Sequence, residues 1–104
     1  MKGRKHTRFA VQLPVSFKGD QLSAGGTILN VSEDGCAITS ETVASVGVYL
    51  QMTMQLRVRE EPVQVDLAAV RWSSATRFGV EFIKLRPEEE ERLKEFVKAL
   101  EPTT

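Results

Sequence analysis

The sequence predicts an all-β domain that ends in one helix, and three observations lead to this prediction. Its 104 residues fit a single small domain. From Phe9 to Phe82, apolar residues recur mainly at every second position, which is the period of a strand with one buried face. From Pro87 to Leu100, they follow the period of a helix. About six short antiparallel strands and a helix predict a small closed barrel, because closure removes exposed sheet edges.

The first half of the chain opens with its clearest strand signal, the alternation of apolar and polar residues over Phe9–Phe17. Pro14 lies inside this segment and indicates an edge strand or a bulge, since proline donates no hydrogen bond to a ladder. The segments that follow are predicted to be a turn or loop at 19–26, a short strand at 27–31, a tight turn at 32–35 and a strand at 36–39.

The second half contains the strictest alternation in the sequence, which runs from Val48 to Val58 and predicts one long strand. Residues 59–62 are predicted to turn the chain. The hairpin partner of the Val48–Val58 strand is then expected over 63–69, and residues 70–72 either continue it or begin a bulge. A last strand is predicted over 78–82.

The C-terminal segment is predicted to be a helix over about 87–100. Its apolar residues fall on one stripe, and Pro87 suits the first helical position, where its missing N–H costs nothing. Glutamates in the first turn complement the positive end of the helix dipole. A helix this short needs tertiary packing, so its stripe is expected to cover an opening or edge of the sheet. The stripe consists of Leu93, Phe96, Val97 and Leu100.

The formal net charge is zero, with 14 basic and 14 acidic residues. This balance argues against a general binder of long polyanions, so neither DNA nor RNA is expected as a partner. The charge is unevenly placed, because residues 1–19 carry basic side chains and no acidic one. The predicted organisation is therefore a basic arm at 1–8, followed by one barrel domain at 9–104.

The lone cysteine, Cys36, and the lone histidine, His6, exclude a disulfide framework and a Cys-rich zinc site, and make a His-dependent triad unexpected. No phosphate-binding glycine loop and no nucleophile elbow is found. The chain is expected to be neither an enzyme nor a holder of a metal or cofactor. It shows no secretory signal and no apolar run of about 20 residues, which predicts a cytoplasmic protein without a membrane segment. Cys36 is expected to stay reduced and to pack as a small apolar residue.

Arg4 and Arg8 form an RxxxR pattern in the basic arm. Arginine pairs bidentately with phosphate oxygens and with the O6 and N7 atoms of guanine. An arm of this kind can also become ordered around a ligand. Alone the pattern is weak, and a solvated basic tail is the alternative interpretation.

Asn30, Ser32 and Gly35 form an NxSxxG pattern between two predicted strands. One interpretation is structural: Asn30 and Ser32 cap a turn and Gly35 adopts a positive φ. The other is functional: the amide and hydroxyl bind a nucleobase or phosphate, while Gly35 lets the backbone approach the ligand.

The two patterns in this order resemble the PilZ domain family. The resemblance runs from Arg4 to about Leu100, and it includes Trp72 and the segment GVEF at 79–82. It implies a six-stranded antiparallel barrel with a C-terminal helix, which agrees with the periodicity. It also implies that the ligand is cyclic di-GMP. Some PilZ-like proteins act instead as protein–protein adaptors without a nucleotide, and this is the alternative function.

The resemblance assigns each motif position a role. It implies that Arg4 and Arg8 clamp guanine edges and phosphates, and that Asn30 and Ser32 read a guanine edge or the ribose-phosphate. Gly35 shapes the turn. Binding then folds the arm onto the barrel, and a downstream protein partner reads the rearranged surface.

Further residues are possible ligand contacts, namely Lys5, Asp34 and Trp72. Trp72 is expected to be either a core or barrel-rim aromatic or a stacking surface near a guanine. Arg71 and Arg77 are either ligand contacts or solvated strand positions, and the second interpretation is preferred.

Overall fold

The computed structural model describes residues 7–102, which form a closed antiparallel barrel and one helix. The strands pair in the order β1-β2-β3-β6-β5-β4, and β4 returns to β1. This confirms the predicted fold class. The elements in chain order are β1 (Phe9–Gly19), β2 (Leu22–Val31), β3 (Gly35–Thr39), β4 (Tyr49–Met54), β5 (Val63–Ser73), β6 (Arg77–Lys84) and α1 (Pro87–Leu100).

The barrel closes where β1 pairs with β4, from Val15 opposite Met54 to Lys18 opposite Gln51. Pro14 immediately precedes this ladder, and its carbonyl oxygen accepts a hydrogen bond from Gln55 N at 3.0 Å. The edge strand suggested by Pro14 is wrong, because β1 has a neighbour on both sides. An irregularity of the β1–β2 register lies just upstream of the proline, in 10–13.

β2 is longer than predicted, because residues 22–26 belong to the strand and not to a loop. The prediction followed Gly25 and Gly26, which usually mark turns. Here a Cβ on Gly26 would lie 2.4 Å from the carbonyl oxygen of Thr39. Glycine therefore serves close packing against the end of β3.

β4 is shorter than predicted and ends at Met54. Beyond it, Leu56 is buried but Val58 is 91 % exposed, so the alternation continues in the sequence and not in the structure. The side-chain amide of Gln55 explains the end of the strand. It donates to the carbonyl oxygens of Arg57 and Glu60, both at 2.8 Å, and so stabilises a compact loop.

The barrel interior is filled by apolar side chains from every strand. Phe17 and Phe78 meet edge to face, with ring centroids 5.2 Å apart. The loop from β3 to β4 contributes Ala44, which is 2 % exposed and belongs to the same core. A barrel of six strands is narrow enough for side chains to fill it. The most deeply buried large residues are Phe78, Ile28, Ile38, Leu50, Met52, Met54 and Leu93.

Helix α1 begins at Pro87 and ends at Leu100, as predicted, and it packs against β5. Leu93, Phe96 and Val97 of its apolar stripe are buried in the barrel core. Within residues 7–102, no helix combines the length and the apolar composition needed to cross a membrane.

Glu89 and Arg92 fasten the helix to the start of β5. The Glu89 carboxylate accepts a hydrogen bond from Gln64 N at 2.7 Å. Arg92 donates to the carbonyl oxygens of Pro62 and Glu61 and lies 3.4 Å from Glu89. Both side chains are partly buried, so their polar groups depend on each other.

Glu89→Ala is expected to lower the free energy of unfolding by about 1–3 kcal/mol, because Gln64 N loses its acceptor and Arg92 loses its carboxylate partner. Urea denaturation measures this change. Glu88→Ala is the matched control, since Glu88 is an exposed residue of the same helical turn. Equal effects of the two substitutions would contradict the proposed role of Glu89.

Cys36 is fully buried in the core, and burial raises the pKa of its thiol from 9.0 to about 12, although the nearby charge of Arg8 opposes this shift. The buried neutral thiol therefore contributes full stability below pH 9.0 and progressively less as the pH rises towards 12. At pH 8, a thiol reagent is expected to react with Cys36 at the rate at which the protein opens, and rapidly in urea. Fast labelling of the folded protein would contradict this expectation.

Candidate functional site

The candidate site is a surface cavity of about 330 Å³ on the outside of the barrel, where β5 and β6 lie beside the start of β3. This volume lies at the lower end of the range for small-molecule sites. The cavity is lined by Arg8, Asp34, Arg71, Trp72, Gly79, Val80 and Glu81.

Arg8 and Asn30 meet beside this cavity. Arg8 Nη1 donates a hydrogen bond to Asn30 Oδ1 at 2.9 Å, although the two residues are 22 positions apart. The ladder between β1 and β2 causes this approach, because it pairs Phe9 with Val31 and Ala10 with Asn30. The second arginine of RxxxR and the first residue of NxSxxG are therefore brought together. Arg4 and Lys5 lie outside the described residues.

Ser32 organises the turn between β2 and β3. Its hydroxyl oxygen accepts a hydrogen bond from Asp34 N at 3.0 Å, and its own backbone N donates to the carbonyl oxygen of Gly35 at 2.9 Å. The Ser32 residue is 1 % exposed, so the hydroxyl lies inside the turn. The Asp34 carbonyl oxygen accepts from Phe82 N at 2.7 Å, which ties the turn to β6. This places Asp34 in the cavity wall.

Gly35 begins β3 in extended backbone, so its predicted positive φ is wrong. Among the described residues, the glycine with positive φ is Gly47, at 93°. The need for glycine at position 35 has a different cause. A Cβ there would lie 2.1 Å from the carbonyl oxygen of Val80, because β6 passes very close to the turn. Position 35 therefore requires glycine because there is no room for a side chain, and not because of its backbone conformation.

Trp72 lies across Gly79 on the outer face of the barrel. A Cβ on Gly79 would be only 2.0 Å from Trp72 Nε1, so the indole occupies the space that a side chain would need. Trp72 is 43 % exposed and lines the cavity. This position excludes the core alternative and offers an aromatic surface to a ligand. The glycine inside a predicted strand was the sequence signal for this close approach.

The described residues that line the cavity carry charges of both signs. Arg71 Nε and Glu81 Oε1 form an ion pair at 2.8 Å. Together with Arg8 and Asp34, this gives two guanidinium groups and two carboxylates among the residues of 7–102 that line the space. The interpretation of Arg71 as a simply solvated position missed its partner, because Glu81 is ten residues away and adjacent only in the folded sheet. Arg77 does not line the cavity.

The arrangement suits an anion that also carries a planar ring. The guanidinium groups provide donors for phosphate oxygens or for the acceptor atoms of a base. Trp72 provides a face on which a base can stack. Among residues 7–102, no group of three or more His, Cys, Asp and Glu residues is placed to hold a metal ion.

Comparison with known proteins identifies relatives of this fold. The family model for the PilZ domain matches residues 2–99. The structure of the Bacillus subtilis inhibitor of motility, MotI/DgrA, aligns with a TM-score of 0.77 at 16% identity, covering 95% of this chain. This chain spans about half, 51%, of that protein. The PilZ domain of CeSA from a cellulose-synthesizing bacterium aligns with a TM-score of 0.70 at 14% identity, covering 90% of this chain and 97% of that domain. No curated protein sequence matches the chain.

Gly79→Ala is expected to push the Trp72 indole off the barrel surface, because a Cβ would occupy its position. The tryptophan emission should move to longer wavelength and become more sensitive to acrylamide, and the chain has one tryptophan, so the signal is unambiguous. Gly25→Ala is the matched control, since a Cβ on that strand glycine meets its nearest neighbour at an ordinary 3.4 Å. Unchanged emission in a folded Gly79→Ala variant would contradict the described packing.

Proposed function

Since the chain belongs to the PilZ domain family, a family of cyclic di-GMP receptors, we propose that it binds cyclic di-GMP in the surface cavity between Arg8 and Trp72. PilZ domains are ligand-binding or adaptor domains and not enzymes. The observation that carries the proposal is the hydrogen bond from Arg8 to Asn30. It joins the two sequence motifs at the edge of a cavity that also contains an aromatic surface.

Arg8 acts as a clamp for the ligand. One of its terminal nitrogens holds Asn30, and this fixes the plane of the guanidinium group. The remaining N–H groups pair with phosphate oxygens or with the O6 and N7 atoms of a guanine. Arg4 supplies the second guanidinium group from the arm, and Lys5 adds positive charge. Two guanidinium groups, one from Arg8 and one from Arg4, match a ligand that has two guanines and two phosphates.

The β2–β3 turn supplies the barrel side of the site. Asn30 contributes its amide to a guanine edge or to the ribose-phosphate. Ser32 holds the shape of the turn through its bond to Asp34 N. The carboxylate of Asp34 accepts from the exocyclic amino group of guanine, and Gly35 lets the turn lie against β6.

Trp72 stacks on one guanine. An aromatic surface contributes about 1–3 kcal/mol for each stacked base. The exposed indole lies on the same cavity as Arg8, so stacking and charge-assisted hydrogen bonds act on one ligand. A micromolar dissociation constant corresponds to about −8 kcal/mol, which these contacts reach after the cost of ordering the arm.

Signalling follows from ordering of the arm. Arg4 and Arg8 bring residues 1–8 against the barrel when the ligand binds, and this changes the surface around the cavity. A downstream protein partner then recognises the new surface. The free energy of ordering is part of the binding free energy, so partner and ligand stabilise the same state.

The test is isothermal titration of the folded protein with cyclic di-GMP, with GTP as the control nucleotide. Arg8→Ala is expected to weaken binding at least about 100-fold, because it removes the clamp and its bond to Asn30. Arg59→Ala, which removes an exposed arginine of the β4–β5 loop, should bind as the wild type does. Quenching or shift of the Trp72 emission during titration reports stacking independently.

Two results would overturn the proposal. One is wild-type affinity for cyclic di-GMP in a folded Arg8→Ala variant. That result would show that Arg8 takes no part in binding. The other is a flat titration of folded wild-type protein free of nucleotide. The second result would favour the nucleotide-independent adaptor function.

A further inference from the structure

The Arg71–Glu81 ion pair lies in the cavity wall and outside both sequence motifs. Its two side chains are 56% and 51% exposed, so each can reach a molecule in the cavity. We propose that Glu81 is a specificity-determining residue: its negative charge disfavours nucleotides with terminal phosphate groups, and it thereby selects the cyclic diester. This inference rests on the proposed function, because it assumes that cyclic di-GMP occupies the cavity.

The geometry of the pair leaves Arg71 able to bind an anion. Glu81 Oε1 engages Nε of Arg71, and the two terminal nitrogens of the guanidinium group take no part in this contact. A single hydrogen-bonded contact at Nε fixes the direction of the group. Arg71 therefore presents its terminal N–H groups to a phosphate while it keeps its carboxylate partner.

The Glu81 carboxylate also repels the phosphate that Arg71 attracts. A phosphate that reaches Arg71 also approaches the negative charge of Glu81, and the repulsion grows with the charge of the phosphate. A phosphodiester carries one negative charge, whereas a terminal phosphate monoester carries about two near pH 7. The penalty is therefore larger for linear nucleotides than for cyclic di-GMP. Like-charge repulsion of this kind is a common source of specificity.

The other charged groups of the cavity do not cancel this effect. Arg8 is hydrogen-bonded to Asn30 of β2, which comes before the turn in the chain. Asp34 is the second acidic residue that lines the cavity. Among the described residues, two positive and two negative groups line the cavity. On the proposed function, Arg4 and Lys5 add positive charge from the arm, but they do so whether or not position 81 is charged, so the contribution of Glu81 is unchanged. The repulsion by Glu81 is therefore strongest for a phosphate group that binds Arg71, because Arg71 also holds the Glu81 carboxylate.

The test measures the binding of two nucleotides to the wild-type chain and to its Glu81→Gln variant. Glutamine keeps an acceptor for Arg71 Nε and removes the charge. At constant ionic strength, Glu81→Gln is expected to bind cyclic di-GMP roughly threefold more tightly and the linear dinucleotide 5′-phosphoguanylyl-guanosine roughly tenfold more tightly. The preference for the cyclic ligand should therefore fall about threefold.

Glu60→Gln is the matched control, because Glu60 also faces an arginine, Arg57, at 3.9 Å on the surface but does not line the cavity. Its affinities should equal those of the wild type. If the wild type binds cyclic di-GMP and Glu81→Gln keeps the same preference for the cyclic over the linear dinucleotide, the inference about Glu81 is wrong and the proposed function stands. If Glu81→Gln binds both nucleotides more weakly, Glu81 only positions Arg71, and the inference also fails. A wild type that binds no cyclic di-GMP overturns the proposed function and the inference with it.

Discussion

Closure of the sheet by the β1–β4 ladder is the constraint on which the rest of the structure depends. Without the pairing of Val15–Lys18 with Gln51–Met54, two strand edges would be open and the apolar interior would reach solvent. A chain of 104 residues has little other core to compensate for that loss. Closure also fixes β1 between β2 and β4. The β1–β2 ladder on the other side of this strand then places Arg8, which immediately precedes β1, beside Asn30.

A narrow barrel with a filled interior must build its binding site on the outside. The site therefore depends on positions where one backbone segment can approach another, or where a side chain can lie flat on a strand. Gly35 lets the β2–β3 turn approach β6, and Gly79 lets Trp72 lie across the same strand. Both glycines act on β6, which is the strand between the turn and the tryptophan. The cavity is the space between these two close contacts.

Features that depend on local periodicity could be predicted from the sequence, whereas features that depend on the neighbouring strand could not. The helix, the number of strands and the burial of Cys36 follow from spacing and composition. The strand over 22–26 was missed because its paired glycines resemble a turn unless the close packing against Thr39 is known. The end of β4 depends on one amide, that of Gln55. The cavity wall at Arg71 and Glu81 required the β5–β6 pairing.

The zero net charge of the chain is compatible with the proposed binding of an anion. Net charge governs long-range attraction, whereas a small anion is held by short-range contacts. A long polyanion is attracted by a broad excess of positive charge, which a chain with 14 basic and 14 acidic residues lacks. A small nucleotide is held by contacts within a single cavity, where each guanidinium group can meet a phosphate and each carboxylate a base donor. Because groups of both signs line the cavity, it favours a ligand whose own donors and acceptors fall in matching positions. On the proposed function, the chain discriminates by where charged and polar groups lie within one cavity and not by its overall potential, and this is what a receptor needs among many abundant nucleotides.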